Sequence, residues 1–426
     1  MLGAAMTSAD QALQIVLQNV SRLGIERVPI LLSLGRVLAE EIRSPRDIPG
    51  FDNSAMDGYA VRAADIAAAS ESHPVRLRVL GTVAAGMMPR AALTAGTAVR
   101  TMTGAPISDG ADAIVQVERT RSEGDWVEIL TSAEPGAFVR PHGEDLHAGE
   151  LVMAAGKRLT PSDIGTLASL NRAMIDLYRR PRVAIVATGD ELVDVDRVPL
   201  GAQVVNSSAY ALASGIVEAG GEPTILKVAR DTIEEVRERL SEALAFDLVL
   251  STGGVSVGQF DHVKGVMDKL GMRQHFHGVA QKPGRPLKFG TIGGRPVFGL
   301  PGNPVSTLVC YYLYVRPALL KMAGFEDLGL PHIEVRCAAK IRLANNLTEF
   351  VRVKLERRGA ALFAAPTGNQ SSGVLSSLSR ADGLLIGPAA RSELLEGDHA
   401  TVLLLNGGAG FDTEAFFEEP LRRHKY

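Results

Sequence analysis

PRVAIVATGDEL (181–192) opens the stretch on which the fold turns. Its first half is a continuous apolar run of strand length, and its second half is a polar corner containing glycine. The pattern recurs in TILKVARD (224–231), FDLVLSTGGVSVG (246–258) and RPVFGLPGNPVS (295–306). Between these runs the sequence predicts helices at about 207–219, from Thr232 to about Phe246, after Asp261 and from near Pro304. Strands apolar throughout, alternating with helices at this spacing, predict βαβ units and a doubly wound parallel sheet covered on both faces. The α/β region is expected over 181–325.

Outward from this centre the period changes. Residues 48–146 carry short β-prone runs (VRLRVL, AVRTM, DAIVQVE) between Gly/Pro/Asp turns, which predicts an inserted β domain. Residues 326–426 return to short strands (IEVRCAAK, EFVRVKLE, LFAAP, GLLIGP, HATVLLL) and predict a C-terminal β-barrel or sandwich. Segments 1–47 and 147–180 flank the insert. They read as a discontinuous helical domain, helical across 8–47, with Asp10 as a cap for 11–23 and Thr160-Pro161 opening a later helix.

Composition narrows the function. The chain has 426 residues, of which 46% are hydrophobic and 22% charged, so it can bury several cores. A net charge of −3 and 5% aromatics point away from a nucleic-acid binder. No apolar run is long enough to span a bilayer. The first residues lack the basic and small-residue features of a secretory signal. The only cysteines are Cys310 and Cys337, which fits a reducing cytoplasm and leaves no cysteine-built zinc site.

In an open α/β sheet, ligands bind at the carboxyl ends of the strands. Four polar clusters fall there: Thr188-Gly189-Asp190-Glu191; Arg230-Asp231; Thr252 to Gly258, with Asp261 beyond; and Pro301-Gly302-Asn303-Pro304 with Ser306. Gly253, Gly254 and Gly258, with Ser256 between them, read either as a tight βα turn or as backbone opened to an anion. The Gly-Lys-Ser/Thr ending of a P-loop is absent. Asp190, Glu191, Asp231 and Asp261 read as Mg²⁺ ligands shared with phosphate oxygens, or singly as helix caps. Lys282 and Arg285, in the stiff loop KPGRP (282–286), suit an oxyanion or form a solvated basic turn. The histidines show no metal-ligand spacing.

Taken together, the chain resembles the MoeA-type molybdopterin molybdenumtransferases, whose relatives include the gephyrin and plant Cnx E domains. The resemblance rests on NSAMDGYAV (53–61), MTGAP (102–106), RPHGEDL (140–146), ATGDEL (187–192), STGGVSVG (251–258), KPGRP (282–286), GLPGNPVS (299–306) and GNQSSGVLSSLSRADGLL (368–385). It implies four domains, the third being a MogA-like molybdopterin-binding fold and the fourth a β-barrel. It also implies a homodimer in which Asp57, Thr103 and Asp145 face the crevice of the other copy. The implied reaction inserts molybdate into adenylylated molybdopterin and releases AMP, with Mg²⁺ required.

Carried over by motif, Asp57, Asp231, Asp261 and Glu191 are expected to be catalytic, the last three also binding metal. Thr188, Gly189, Asp190, Pro301, Asn303, Pro304 and Ser306 would line the crevice, and Arg352 would reach the molybdate beside Lys282 and Arg285. A molybdopterin adenylyltransferase and molybdoenzyme acceptors are the implied partners. The chain departs from the pattern at Gln281, where Met or Ile is usual, at Arg285 for Lys, at Ser108 for Pro, and at Gln259-Phe260. Two other functions share parts of the pattern. An adenylyltransferase would use the α/β domain alone, and a gephyrin-like scaffold would not need the acids.

Overall fold

The computed structural model describes residues 6–253 and 262–405. Gly254, Ser256, Gly258 and Asp261 lie outside the described residues. The chain forms two compact units. The larger gathers Met1–Ala39, Gly156–Ile164 and Ala173–Tyr426, as far as these are described, and the smaller Glu40–Ala155 with Gly165–Arg172.

The larger unit is built on six strands: β1 (Arg182–Ala187), β2 (Glu222–Ile225), β3 (Leu248–Thr252), β4 (Arg273–His277), β5 (Lys288–Ile292) and β6 (Arg295–Leu300). Their order is β2-β1-β3-β6-β5-β4. The first four neighbours run parallel, with Val183 opposite Leu248 and Val249 opposite Val297. The continuous apolar runs are explained by burial on both faces. Val183 and Ile185 pack with Ala209, Leu212 and Ile216 of the helix Ser207–Glu218, whereas Ala184 and Val186 pack with Val236 and Leu240 of the helix Ile233–Ala243. Alternate residues of one strand therefore serve two cores.

β5 and β4 add to this sheet in antiparallel sense, which corrects the expectation of a wholly parallel sheet. The signal was present: Gly293-Gly294, both at positive φ, join Ile292 to its partner Arg295 in a two-residue hairpin.

C-terminal to the sheet lie β7 (His332–Cys337), β8 (Thr348–Arg358), β9 (Ala361–Pro366), β10 (Gly383–Gly387) and β11 (His399–Leu404). The pairings β8-β9-β7-β11-β10-β8 return to their start, so the strands close a five-stranded barrel around Val335, Val351, Val353 and Val402. A short strand from the KPGRP region joins its wall: Gln281 and Lys282 pair in parallel with Thr348 and Glu349.

The expectation of helix across 8–47 holds only for Ala9–Gln18, which Ser8 rather than Asp10 caps, in a box with Gln11. Ile25–Pro29 is instead a strand paired with Met174–Tyr178. Gly24 and Pro29 bracket a β-branched segment there, and neither residue continues a helix. The smaller unit holds a six-stranded sheet in the order Ala113–Gln116, Gly58–Val61, Thr97–Thr101, Val75–Val83, Trp126–Ile129, Thr120–Glu123. Its core is Tyr59, Val61, Leu77, Val127 and Ile129. Among the described residues no helix is long and apolar enough to cross a membrane.

Candidate active site

The corners after β1, β3 and β6 meet. The Thr188 N–H donates to the Thr252 carbonyl at 3.2 Å, and the Gly253 N–H to the Leu300 carbonyl at 3.3 Å. Gly189 donates to the Ala229 carbonyl at 3.2 Å, which draws in the segment after β2. Two glycines make these corners possible. Gly189 has φ +145°, and a Cβ there would sit 2.6 Å from the Glu191 carboxylate. Gly253 has φ +84°, and its Cβ would sit 2.9 Å from the Thr188 carbonyl oxygen.

Between the corners opens a cleft of about 650 Å³. Thr188, Glu191, Gly253, Pro301, Asn303 and Pro304 are among its lining residues, and Glu191 is the one charged side chain among the described lining. Its size lies in the usual range for small-molecule and cofactor sites.

Two of the strand-end acids come together. The Asp190 carboxylate accepts the backbone N–H of Asp231 at 3.3 Å. Asp231 is not the helix cap that composition allowed. Thr232 caps, accepting from Glu235 N–H at 3.3 Å, and Glu235 in turn accepts from the Arg230 N–H. The Asp231 carboxylate is therefore not spent on the helix. Among the described residues no group of three or more His, Cys, Asp or Glu is arranged to hold a metal ion. Ser306 is buried in the helix Pro304–Cys310, one turn below the corner.

The expected cations stand differently from one another. Arg285 is exposed. Lys282 is held by Glu349, Nζ to Oε1 at 2.9 Å, and that carboxylate is buried and also accepts the Ala344 N–H at 2.7 Å. Arg352, expected to reach the molybdate, is buried, with its guanidinium bonded to the protein itself. Its Nε donates to Ser377 Oγ at 3.1 Å, and its Nη2 donates to the carbonyls of Asn369 and Ser371 at 3.3 and 3.2 Å. Burial lowers its pKa, and nearby Glu349 opposes that shift. Val351 and Val353 face the barrel interior, so strand alternation turns Arg352 to the outer face of β8, where it is buried beneath the loop 369–371 and braces it. The next residue in that loop, Ser372, accepts from Asn303 Nδ2 at 3.0 Å, and its carbonyl accepts the Val305 N–H at 3.1 Å. Arg352 thus acts on the cleft wall through a loop. Sequence reading missed Glu349 and Ser372, although both sit inside quoted motifs.

The smaller unit brings its own motifs together. Ser54 N–H donates to the Ala105 carbonyl and Gly104 N–H to the Ser54 carbonyl, at 3.0 and 2.8 Å, joining NSAMDGYAV to MTGAP. Val139 pairs with Ser54, and the His142 N–H donates to Asp52 at 2.7 Å, which adds RPHGEDL. Asp57 is exposed, and its carboxylate accepts both the N–H and the hydroxyl of Thr103 at 2.7 Å. The Thr103 backbone donor, then its hydroxyl, hold the Asp57 pKa below the usual carboxylate range. Asp145 is exposed on the same segment as His142, its N–H donating to Ile48.

A strand-end cleft with glycine corners and flanking acids marks a ligand-binding protein of the doubly wound α/β class. Residues 184–321 match the model described as a probable molybdopterin binding domain. Residues 7–171 match the MoeA N-terminal region (domain I and II), and residues 334–405 the MoeA C-terminal region (domain IV). The chain is 36% identical over 391 residues to the molybdopterin molybdenumtransferase of Nostoc sp., covering 90% of each. It is 33% identical to that of Bacillus subtilis, covering 93% of each. A solved molybdopterin biosynthesis MoeA protein from Pyrococcus horikoshii OT3 matches at TM-score 0.78 and 30% identity, covering 94% of this chain and 100% of that one. This chain belongs to the MoeA family.

Proposed function

We propose that this chain inserts molybdenum from molybdate into adenylylated molybdopterin and releases AMP. The observation that supports the reading is the cleft itself: residues from three separate strand ends, with Gly253, Gly302 and the Glu191 carboxylate among them, border one cavity large enough for a pterin nucleotide. Relatives named molybdopterin molybdenumtransferase support it further.

In this reading the Gly189, Gly253 and Gly302 backbones leave room for the pyrophosphate-linked portion of the substrate. No three described acids are grouped to hold a metal by themselves, but Asp190, Glu191 and Asp231 carry hard carboxylate oxygens of the kind that share Mg²⁺ with substrate phosphate. Asp261 is proposed to join them. When bound, Mg²⁺ would neutralise pyrophosphate charge. Lys282 presents its ammonium to the oxyanion from a position fixed by Glu349, with Arg285 beside it in sequence and Arg352 acting through the loop it braces. Asp57 stays ionised into the acid range because Thr103 holds it so.

The reading extends to a homodimer. Asp57, Thr103 and Asp145 would complete the cleft of a second copy, which their exposure supports. It extends also to work in the cytoplasm, between a molybdopterin adenylyltransferase that supplies the substrate and molybdoenzymes that accept the product. The test is incubation of pure protein with adenylylated molybdopterin, Mg²⁺ and molybdate, following AMP release. Molybdate-dependent release is expected, and its absence overturns the assignment.

A further inference from the structure

The KPGRP loop rests on a buried polar triad. Gln281 is fully buried. Its Nε2 donates to the Pro283 carbonyl at 3.0 Å and lies 3.7 Å from Cys310 Sγ. Cys310 in turn points its Sγ at the Gly284 carbonyl, 3.6 Å away. Tyr314 donates its hydroxyl to Gln281 Oε1. Two consecutive loop carbonyls are thus met from below by side chains.

Gly284 is shaped to this support. It has φ +95°, and a Cβ there would lie 2.5 Å from Cys310 Sγ and 2.7 Å from Gln281 Nε2. The loop lies directly on the triad, with no space between. Cys310 and Tyr314 reach the same side because they are four residues apart. Cys310 immediately precedes a π-helical turn, Tyr311–Val315, and Tyr314 lies within it, in the helix that descends from the Pro301–Pro304 corner. The triad therefore connects the cleft corner to the loop bearing Lys282 and Arg285.

We propose that Gln281 is a positioning residue that, with Tyr314 and Cys310, holds the KPGRP loop in the geometry in which Lys282 and Arg285 receive the oxyanion. The loop's role in oxyanion binding rests on the function proposed above, whereas the bracing itself does not. A buried amide is a costly way to fill a core position unless each of its groups is met, and here each is.

The test compares Gln281→Met with Gln281→Met/Tyr314→Phe. The single variant removes the donor to Pro283 and leaves the Tyr314 hydroxyl unsatisfied, so its Tm falls. The double variant makes the pair apolar and its Tm returns toward the wild-type value, but Pro283 still lacks its donor. In both variants the molybdate concentration for half-maximal AMP release should rise about tenfold, as expected for one lost buried hydrogen bond. Dependence on the adenylylated pterin should not change. Amides of Gly284, Arg285 and Leu287 should exchange faster in both, as read by hydrogen–deuterium exchange. Wild-type exchange and molybdate dependence in the double variant would overturn the proposal, because the triad would then serve stability alone. Should the wild-type protein release no AMP, the functional reading falls and exchange alone decides the brace: faster exchange upholds it, and unchanged exchange overturns it.

Discussion

Gly253→Ala perturbs the corner on which the cleft is built. Gly253 has φ +84°, in the left-handed region, where a Cβ costs roughly 1–2 kcal/mol. The new methyl would also lie 2.9 Å from the Thr188 carbonyl oxygen and 3.2 Å from its Oγ1. The nearer contact cannot be relieved by rotating a side chain, because that oxygen is backbone. Crowding of this kind adds about 1–3 kcal/mol. The sum is about 2–5 kcal/mol, which corresponds to a fall in Tm of about 5–15 °C. Thr188 must also shift, and it lines the cleft, so AMP release at 25 °C, below both transitions, should drop.

Gly302→Ala is the matched control. Gly302 lies in the same cleft, has no positive φ, and its Cβ would meet only the Gly253 Cα at 3.6 Å. Its Tm should stay within about 1–2 °C of wild type. Melting curves and rates on both variants check the argument. Equal Tm for Gly253→Ala and wild type would refute the conformational reasoning, and an unaltered rate would remove Thr188 from the working wall.

Asp231→Asn should slow AMP release strongly and raise the Mg²⁺ requirement while leaving Tm unchanged; a wild-type Mg²⁺ titration would remove Asp231 from the metal site. Thr103→Val deletes one of the two donors that lower the Asp57 pKa. A lowered native pKa contributes stability above the unfolded value that is lost as pH falls through the folded value, so the acid limbs of both stability and activity should move to higher pH. Superimposable pH profiles would exclude that role. Arg352→Ala leaves the Asn369 and Ser371 carbonyls and Ser377 without their donor, at a cost of about 2–4 kcal/mol. Arg352→Lys should restore little of this, because an ammonium lacks the planar fork. Melting both variants checks the brace, and full rescue by lysine would contradict it.

Much of the α/β region was legible because both its signals are local. Continuous apolar runs such as RVAIVA can be satisfied only by burial on two faces, and corners such as Thr188-Gly189 need glycine for their backbone. The antiparallel edge was written in Gly293-Gly294 but masked by the stronger βαβ rhythm. The helix expected across 8–47 failed because Val16 and Val20, one turn apart, carry a helical period that the sequence beyond Gly24 does not continue. Arg352 was misread for a different reason. What covers the outer face of a barrel strand is set by segments far along the chain, so the burial of Arg352 and its hold on the 369–371 loop could not be read from EFVRVKLE. The same holds for Glu349, whose partner Lys282 is remote in sequence but adjacent in register. At Asp57 and Thr103 the residues were recognised by motif, but the pair of hydrogen bonds between them was not.

The most direct measurement of the central claim is AMP release from purified adenylylated molybdopterin, with and without molybdate, by the wild-type protein and by Asp231→Asn. The account predicts Mg²⁺-supported release that depends on molybdate, yields molybdenum-loaded pterin in equal amount, and is largely lost in the variant. Equal release without molybdate, or consumption of ATP with free molybdopterin in place of AMP release, would contradict it.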